Sequence, residues 1–247
     1  MTNALAKWPV VLRTMPQCLV ERISADASFF RCRAGRTILA LGVASTNVYV
    51  VLEGRVRVTL TSIAGSDVAL RDLRAGELFG ELAAIDGQPR SASIVALDDC
   101  FLASIPGCRF RDSVCATPDS SLWLARRLVE QVRSLTDRVF EANALKVSAR
   151  LHCEILRLCA LHGGAGSAEI EPAPTHADLA ARIGTNREAV TRELGFLHSQ
   201  GLVTQRGRRI VVHDVAAIRR LVAAVKGEAM EWPEPKLPLD GAAPAVP

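Results

Sequence analysis

The chain has 247 residues, enough for one large domain or two small ones, and 49% of them are hydrophobic, ample for buried cores. No stretch is long and apolar enough to span a bilayer, and residues 1–20 lack the basic region and apolar run of a secretory signal, so no membrane partner is expected and the expected location is the cytoplasm. The net charge of +4 says little about partners, but it is unevenly spread: from Lys146 to Lys226 twelve basic residues stand against seven acidic ones, about +5, which leaves about −1 for the remainder.

In chain order, residues 29–105 read as many short strands, with examples at 37–40, 48–52, 55–61, 68–73, 93–96 and 101–105. Glycines at 35, 42, 54, 65 and 76 punctuate them. Val56 and Val58 alternate with Arg55, Arg57 and Thr59, the pattern of a half-buried strand. Strands this short and evenly spaced suggest a barrel, roll or jelly roll. The pattern changes at Pro118. Ser121, Ala125, Leu128, Val132, Leu135, Val139 and Ala142 recur at spacings of four and three, a heptad seam on a long helix. One narrow apolar stripe needs a partner: either a twin helix in a parallel homodimer or the chain's own β-domain. Residues 143–146 read as a hinge. Helical patterning resumes at Val147 with Leu151, Ile155, Leu158 and Leu161, and stops at Gly163-Gly164. Residues 165–174 read as a loop, and the proline-rich tail at 227–247 as disordered.

The seven cysteines form no C-x-x-C pair and are expected as reduced thiols. All five histidines lie in the C-terminal half, and only Cys18 and Cys32 lie near the N-terminus. Neither zinc, nor an N-terminal iron–sulfur cluster, nor haem is expected.

The most informative segment runs from Phe79 to Ser93. Gly80 lets the backbone approach a ligand closely. The short helical turn Leu82–Ile85 follows, with free N–H groups at its start. Arg90 can hold a phosphate through a bidentate contact. Glu81 cannot sensibly face a phosphate and should accept from a hydroxyl. Together these read as a sugar-phosphate pocket, or else as an ordinary turn with a surface Arg–Glu pair. The order Gly80-Glu81-Leu82-Ala83, a spacer, then Pro89-Arg90-Ser91-Ala92 resembles the phosphate-binding cassette of cyclic-nucleotide-binding domains. The resemblance extends over about residues 20–145. It implies that Glu81 holds the ribose and Arg90 the cyclic phosphate, with Gly80, Leu82 and Ser91 supplying backbone or hydroxyl contacts. It also implies that Leu135 and Thr136 fall where the purine is contacted. Only one of that pair carries a hydroxyl, which leaves cyclic AMP as the first ligand and cyclic GMP as a second. Thr136 alternatively reads as a plain helix-face residue.

Residues 175–213 hold a second constellation. Thr175 reads as an N-cap with Asp178 three residues on. A helix at 177–183 ends at Gly184. Residues 185–188 read as a second capping box opening a helix to Ser199, and two short helices joined at a glycine make a helix-turn-helix. Residues 202–212 read as a hairpin wing with the basic tip Arg206-Gly207-Arg208. The start of the second helix is where base edges are reached, which names Asn186, Arg187, Glu188 and Arg192. Arginine suits guanine and glutamate suits cytosine. Glu188 alternatively caps the helix and pairs with Arg192, and Arg187 alternatively contacts phosphate. Asn186-Arg187-Glu188-Ala189-Val190-x-Arg192 followed by Leu-x-x-Gly-Leu-Val is similar to the recognition helix of the Crp/Fnr regulators.

The expected class is α+β: an N-terminal cyclic-nucleotide-binding β-roll (jelly roll) over 1–117, a long dimerisation helix over 118–145, a C-terminal winged helix-turn-helix over 146–226 and the tail. The dimer seam is Ala125, Leu128, Val132, Leu135, Val139 and Ala142. The resemblance implies a non-enzymatic homodimer that binds double-stranded DNA at an inverted TGTGA-type repeat when cyclic AMP or cyclic GMP is bound. The resemblance also implies a contact with RNA polymerase for the loop at 163–174, which alternatively reads as a plain connector. A regulatory subunit of another protein and an enzyme are the alternatives.

Overall fold

The computed structural model describes Trp8 and residues 15–61, 67–162 and 166–226. The tail at 227–247 and positions 163–165 lie outside the described residues. Contacts divide the chain into two compact units, one up to Arg133 and one from Ser134 on. The division falls within the long helix rather than at either end of it.

The first unit opens with α1 (Gln17–Ala25), which buries Leu19, Val20 and Ile23. Two four-stranded antiparallel sheets follow. The first has the order β1 (Ser28–Cys32), β8 (Cys100–Ile105), β3 (Val48–Glu53) and β6 (Leu78–Phe79). The second has the order β2 (Thr37–Leu39), β7 (Ser93–Ala96), β4 (Arg55–Thr61) and β5 (Asp67–Arg74). Early strands pair with late ones, β1 with β8 and β2 with β7, as a two-sheet roll requires.

Strand β3 shows why the roll holds together. Its side chains alternate between faces, and both faces are covered. Val48, Val50 and Leu52 pack with α1, while Val51 packs with Leu73, Phe79, Ile94 and Leu102 inside the roll. Each such residue, fully buried, contributes about 1.5–3 kcal/mol. The first of these two cores also takes in α3 (Gly107–Cys115), through Phe110 and Val114. Between β6 and β7 lies the short helix α2 (Glu81–Asp86).

The long helix α4 spans Pro118–Ala144. Its apolar stripe divides. Leu124 is buried and Trp123 and Leu128 pack on the same core as Leu19 and Ile23. Ala125 and Ala142 are exposed, as are Leu122, Val129, Val132, Leu135 and Val139. Leu128, expected on the seam, therefore turns partly to its own roll, because the first turns of the helix are anchored there. Val129 beside it is exposed.

The second unit is built around α5 (Val147–Leu161). Leu151, Ile155 and Leu158 are buried as the periodicity predicts, and so are Cys153, Leu156 and Cys159. A helix apolar on most sides sits in the middle of its domain. Leu161 departs from the expected stripe and is exposed, because it is the last helical residue. Around α5 lie α6 (His176–Ile183), α7 (Arg187–Ser199), α8 (Val215–Lys226) and a sheet ordered β10 (Val203–Arg206), β11 (Arg209–Val212), β9 (Ala168–Ile170). Strand β9 lies in the stretch expected to be loop. With three residues, and only Ala168 and Ile170 buried, it is too short for alternation to register.

A buried ion network ties this unit together. Glu154, 1% exposed, accepts from Arg182 at 2.8 Å, Arg157 at 3.1 Å and Arg138 at 3.4 Å. Arg157 also donates to Glu141. Arg138 and Glu141 stand on the last turns of α4, Glu154 and Arg157 on α5, and Arg182 on α6, so one carboxylate joins three helices.

Candidate ligand cleft and nucleic-acid interface

Beside α2 the roll opens into a cleft. Gly80, Glu81, Leu82, Arg90 and Ser91 all line it, so the structure brings the cassette residues together. Gly80 adopts φ 85°, and a Cβ there would lie 2.7 Å from Arg90 Nη1 and 2.9 Å from the Asn47 carbonyl. Only glycine meets both demands. Leu82 and Ser91 are exposed at the rim.

Arg90 is 3% exposed. Its Nε donates to Ser45 Oγ at 2.8 Å, Nη1 to the Gly80 carbonyl at 2.9 Å and Nη2 to the Asn47 carbonyl at 2.7 Å. All three acceptors are neutral, and no carboxylate lies within ion-pair distance among the described residues. Burial pushes the guanidinium below its ordinary value, with Tyr49 and Glu81 opposing. The result is a fixed, desolvated cation with further N–H donors to give. An anion in the cleft supplies what the fold withholds. Glu81 is also buried, at 3%, and accepts no hydrogen bond from the described residues.

The apolar wall comes from Leu39, Val58 and Ile94. Two further polar residues complete the lining: Arg71 on β5 and Gln131 on α4. Neither was singled out in the sequence. Leu135 and Thr136, expected at the purine, are not among the lining residues and belong to the second unit. Gln131, which lines the cleft, stands one helical turn before Leu135 on the same helix face.

In the second unit the helix-turn-helix forms as expected. Thr175 caps α6 in a full capping box with Asp178, and Gly184 makes the turn at φ 64°. The second cap departs from expectation. Asn186, not Thr185, is the cap of α7, its Oδ1 accepting from Ala189 N at 2.8 Å. Asparagine directly before the first turn satisfies the orphan N–H at least as well as threonine. The Asn186 oxygen, expected to serve DNA, is thus used by the fold. Glu188 is released from capping and makes no ion pair with Arg192.

Val190, Leu194 and Leu197 bury one face of α7, while Arg187, Glu188 and Arg192 are exposed on the other. The wing is β10–β11, with Gly207-Arg208 at the tip and Arg206 closing β10 opposite Arg209. Arg209 is paired with Glu169 at 3.0 Å and Glu171 at 2.7 Å, whereas Arg206 and Arg208 are exposed without an ion pair among the described residues. The sequence reading missed His176, which hydrogen-bonds Thr191 on α7 and Gln205 on the wing at 2.7 and 2.8 Å. Arg187 and Arg208 line one open cavity with Thr175 and His176. The recognition helix, the wing and the start of α6 thereby present one basic surface.

Comparison with known proteins assigns a family to each of the two segments. Residues 29–114 match the cyclic nucleotide-binding domain family and residues 149–221 the Crp-like helix-turn-helix domain. The cyclic AMP receptor protein of Thermus thermophilus is 32% identical over 213 residues, 81% of this chain and 92% of that protein. The chain belongs to the Crp/Fnr family of transcription regulators. Another relative is the cAMP-activated global transcriptional regulator of Pasteurella multocida, 28% identical over 72% of this chain and 86% of its own length. Among solved structures, a Crp/Fnr-family transcriptional regulator from Thermus thermophilus superposes with a TM-score of 0.64 at 27% identity, over 80% of this chain and all of that one. As a member of this family the chain is a cyclic-nucleotide-binding, DNA-binding transcription regulator, not an enzyme. The regulatory-subunit and enzyme alternatives give way to that assignment. Among the described residues no helix is long and apolar enough to cross a membrane, and no cluster of ligating side chains fits a metal.

Proposed function

We propose that this regulator works as a homodimer whose recognition of an inverted repeat is switched on by a purine 3′,5′-cyclic nucleotide. The observation that carries the reading is the pair Glu81 and Arg90 on one cleft: a buried carboxylate and a buried guanidinium that have, among the described residues, no hydrogen-bond donor and no counter-ion respectively. A ribose hydroxyl completes the first and a cyclic phosphate the second. Ser91 and Leu82 close the rim, and the backbone at Gly80 lies against the sugar. The relatives named above are called cyclic AMP receptors, which makes cyclic AMP a first ligand to test, with cyclic GMP beside it.

The open face of α4, from Val129 through Val132, Leu135 and Val139 to Ala142, is the surface for a second copy. Two-fold pairing of α4 carries two recognition helices. With an inverted repeat of TGTGA-type half-sites they enter major grooves one helical turn, about 34 Å, apart. Arg187, Glu188 and Arg192 read base edges there. Arg206 and Arg208 hold phosphate. The polypeptide at 163–174 is a candidate contact for RNA polymerase. The site of action is the cytoplasm, where the DNA lies.

Gel shift with and without nucleotide tests this reading. Retardation of an inverted-repeat duplex is expected only with nucleotide. The Arg90→Ala variant should lose about 2–5 kcal/mol of nucleotide affinity and with it the nucleotide response. Wild-type nucleotide affinity in Arg90→Ala would remove the basis for the cleft assignment.

A further inference from the structure

The cleft is lined by two more polar groups that have no hydrogen-bond partner among the described residues. Arg71 lies on β5 opposite Val58, two residues before Leu73, which is buried opposite the buried Val56 on the same face of the sheet. Alternation therefore turns Arg71 inward, and it lines the cleft beside its cross-strand neighbour Val58. Its charged surroundings are Arg127, of like sign, and Glu81 and Glu77. No hydrogen bond or ion pair joins it to the described residues. Burial holds its guanidinium below the ordinary value, yet an arginine remains charged. The second group is Gln131 on α4. Its Oε1 is fully buried and accepts no hydrogen bond, and Gln131 lines the same cleft.

A buried polar group without a partner costs free energy. Here one unmatched group only donates, as a fork, and the other accepts. The apolar residues Leu39, Val58 and Ile94 of the same cleft suit the face of a planar ring. The two purines answer this arrangement differently. Guanine presents two acceptors side by side, O6 and N7, and N–H donors at N1 and N2 on the adjoining edge. Adenine keeps N7 but carries an amino donor where guanine has O6. Facing adenine, one arm of the Arg71 fork would meet another N–H.

We infer that the base end of this cleft selects guanine: Arg71 donates to O6 and N7, the Gln131 amide turns into the cleft so that its Oε1 accepts from the adjoining N–H edge, and the preferred ligand is cyclic GMP. The inference rests on the reading of Glu81 and Arg90 as the ribose and phosphate groups. It separates this chain from relatives named for cyclic AMP. It also gives Arg71 a task distinct from that of Arg90, which is to recognise the base and not the phosphate.

Calorimetry on the full chain with cyclic GMP and cyclic AMP tests it. Cyclic GMP should bind at least about tenfold more tightly, within the discrimination that one bidentate arginine–guanine contact supplies. Arg71→Lys keeps the charge and removes the fork. In that variant the preference should collapse to within about threefold through loss of cyclic GMP affinity, with cyclic AMP affinity retained as evidence of an intact fold. Arg71→Ala should behave alike. Wild-type protein that binds cyclic AMP as tightly as cyclic GMP would overturn the guanine assignment and leave the cleft reading standing. So would an Arg71→Ala variant that loses both nucleotides by one factor while its thermal unfolding is unchanged, since Arg71 would then serve the phosphate. Binding of neither nucleotide by the wild-type chain would overturn the cleft reading itself, and the inference with it.

Discussion

At the scale of single residues, recognition in this protein divides between groups that the fold satisfies and groups that it leaves open. Asn186 and Thr175 are spent on caps, and Arg209 is held by Glu169 and Glu171. Arg187, Arg192 and Arg208 are exposed without ion pairs among the described residues. Arg187→Ala or Arg192→Ala should each cost about 1–3 kcal/mol and relax the choice at one G·C pair. Arg208→Ala should weaken all sequences alike, which binding to a panel of single-base variants will separate. Residue chemistry alone left Gly80, Glu81 and Arg90 open between a sugar-phosphate pocket and an ordinary turn, and the resemblance of their order to a phosphate-binding cassette decided the reading. Arg71 and Gln131 were not legible. An arginine on a strand and a glutamine on an amphipathic helix both read as solvent-facing until the roll turns them inward.

At the scale of elements, the turn-and-cap signals placed most boundaries within a residue or two, whereas contacts between elements were beyond reach. The heptad spacing along α4 was visible in the chain. That Leu128 leans on the roll and Val129 does not depends on how the helix leaves α3. Val132 and Val139 are each 62% exposed and sit one heptad apart. The double variant Val132→Glu with Val139→Glu places like charges along the proposed seam. It should shift the dimer to monomer in sedimentation while leaving the single chain folded. The Glu154 network was equally invisible, since its five members are scattered over three helices. Glu154→Ala would leave Arg138, Arg157 and Arg182 crowded around an empty position. A loss of about 3–5 kcal/mol in denaturant unfolding is expected for breaking a buried network by one partner. Conservative Glu154→Gln should lose less, because it retains a hydrogen-bond acceptor.

For the whole molecule, the function follows from having two recognition sites on one chain. A ligand can shift an equilibrium only by its differential affinity for the two states. The cleft and the DNA surface are therefore coupled only if nucleotide prefers the DNA-competent form. Thermodynamic reciprocity then requires that specific DNA raise nucleotide affinity by the same factor by which nucleotide raises DNA affinity. The most direct measurement is calorimetric titration of cyclic nucleotide into the wild-type protein, alone and saturated with its inverted-repeat duplex. The predicted result is nucleotide binding tighter by at least about fivefold in the presence of specific DNA, with no such gain from a scrambled duplex. Equal nucleotide affinity with and without specific DNA would contradict the account, because the two sites would then act independently.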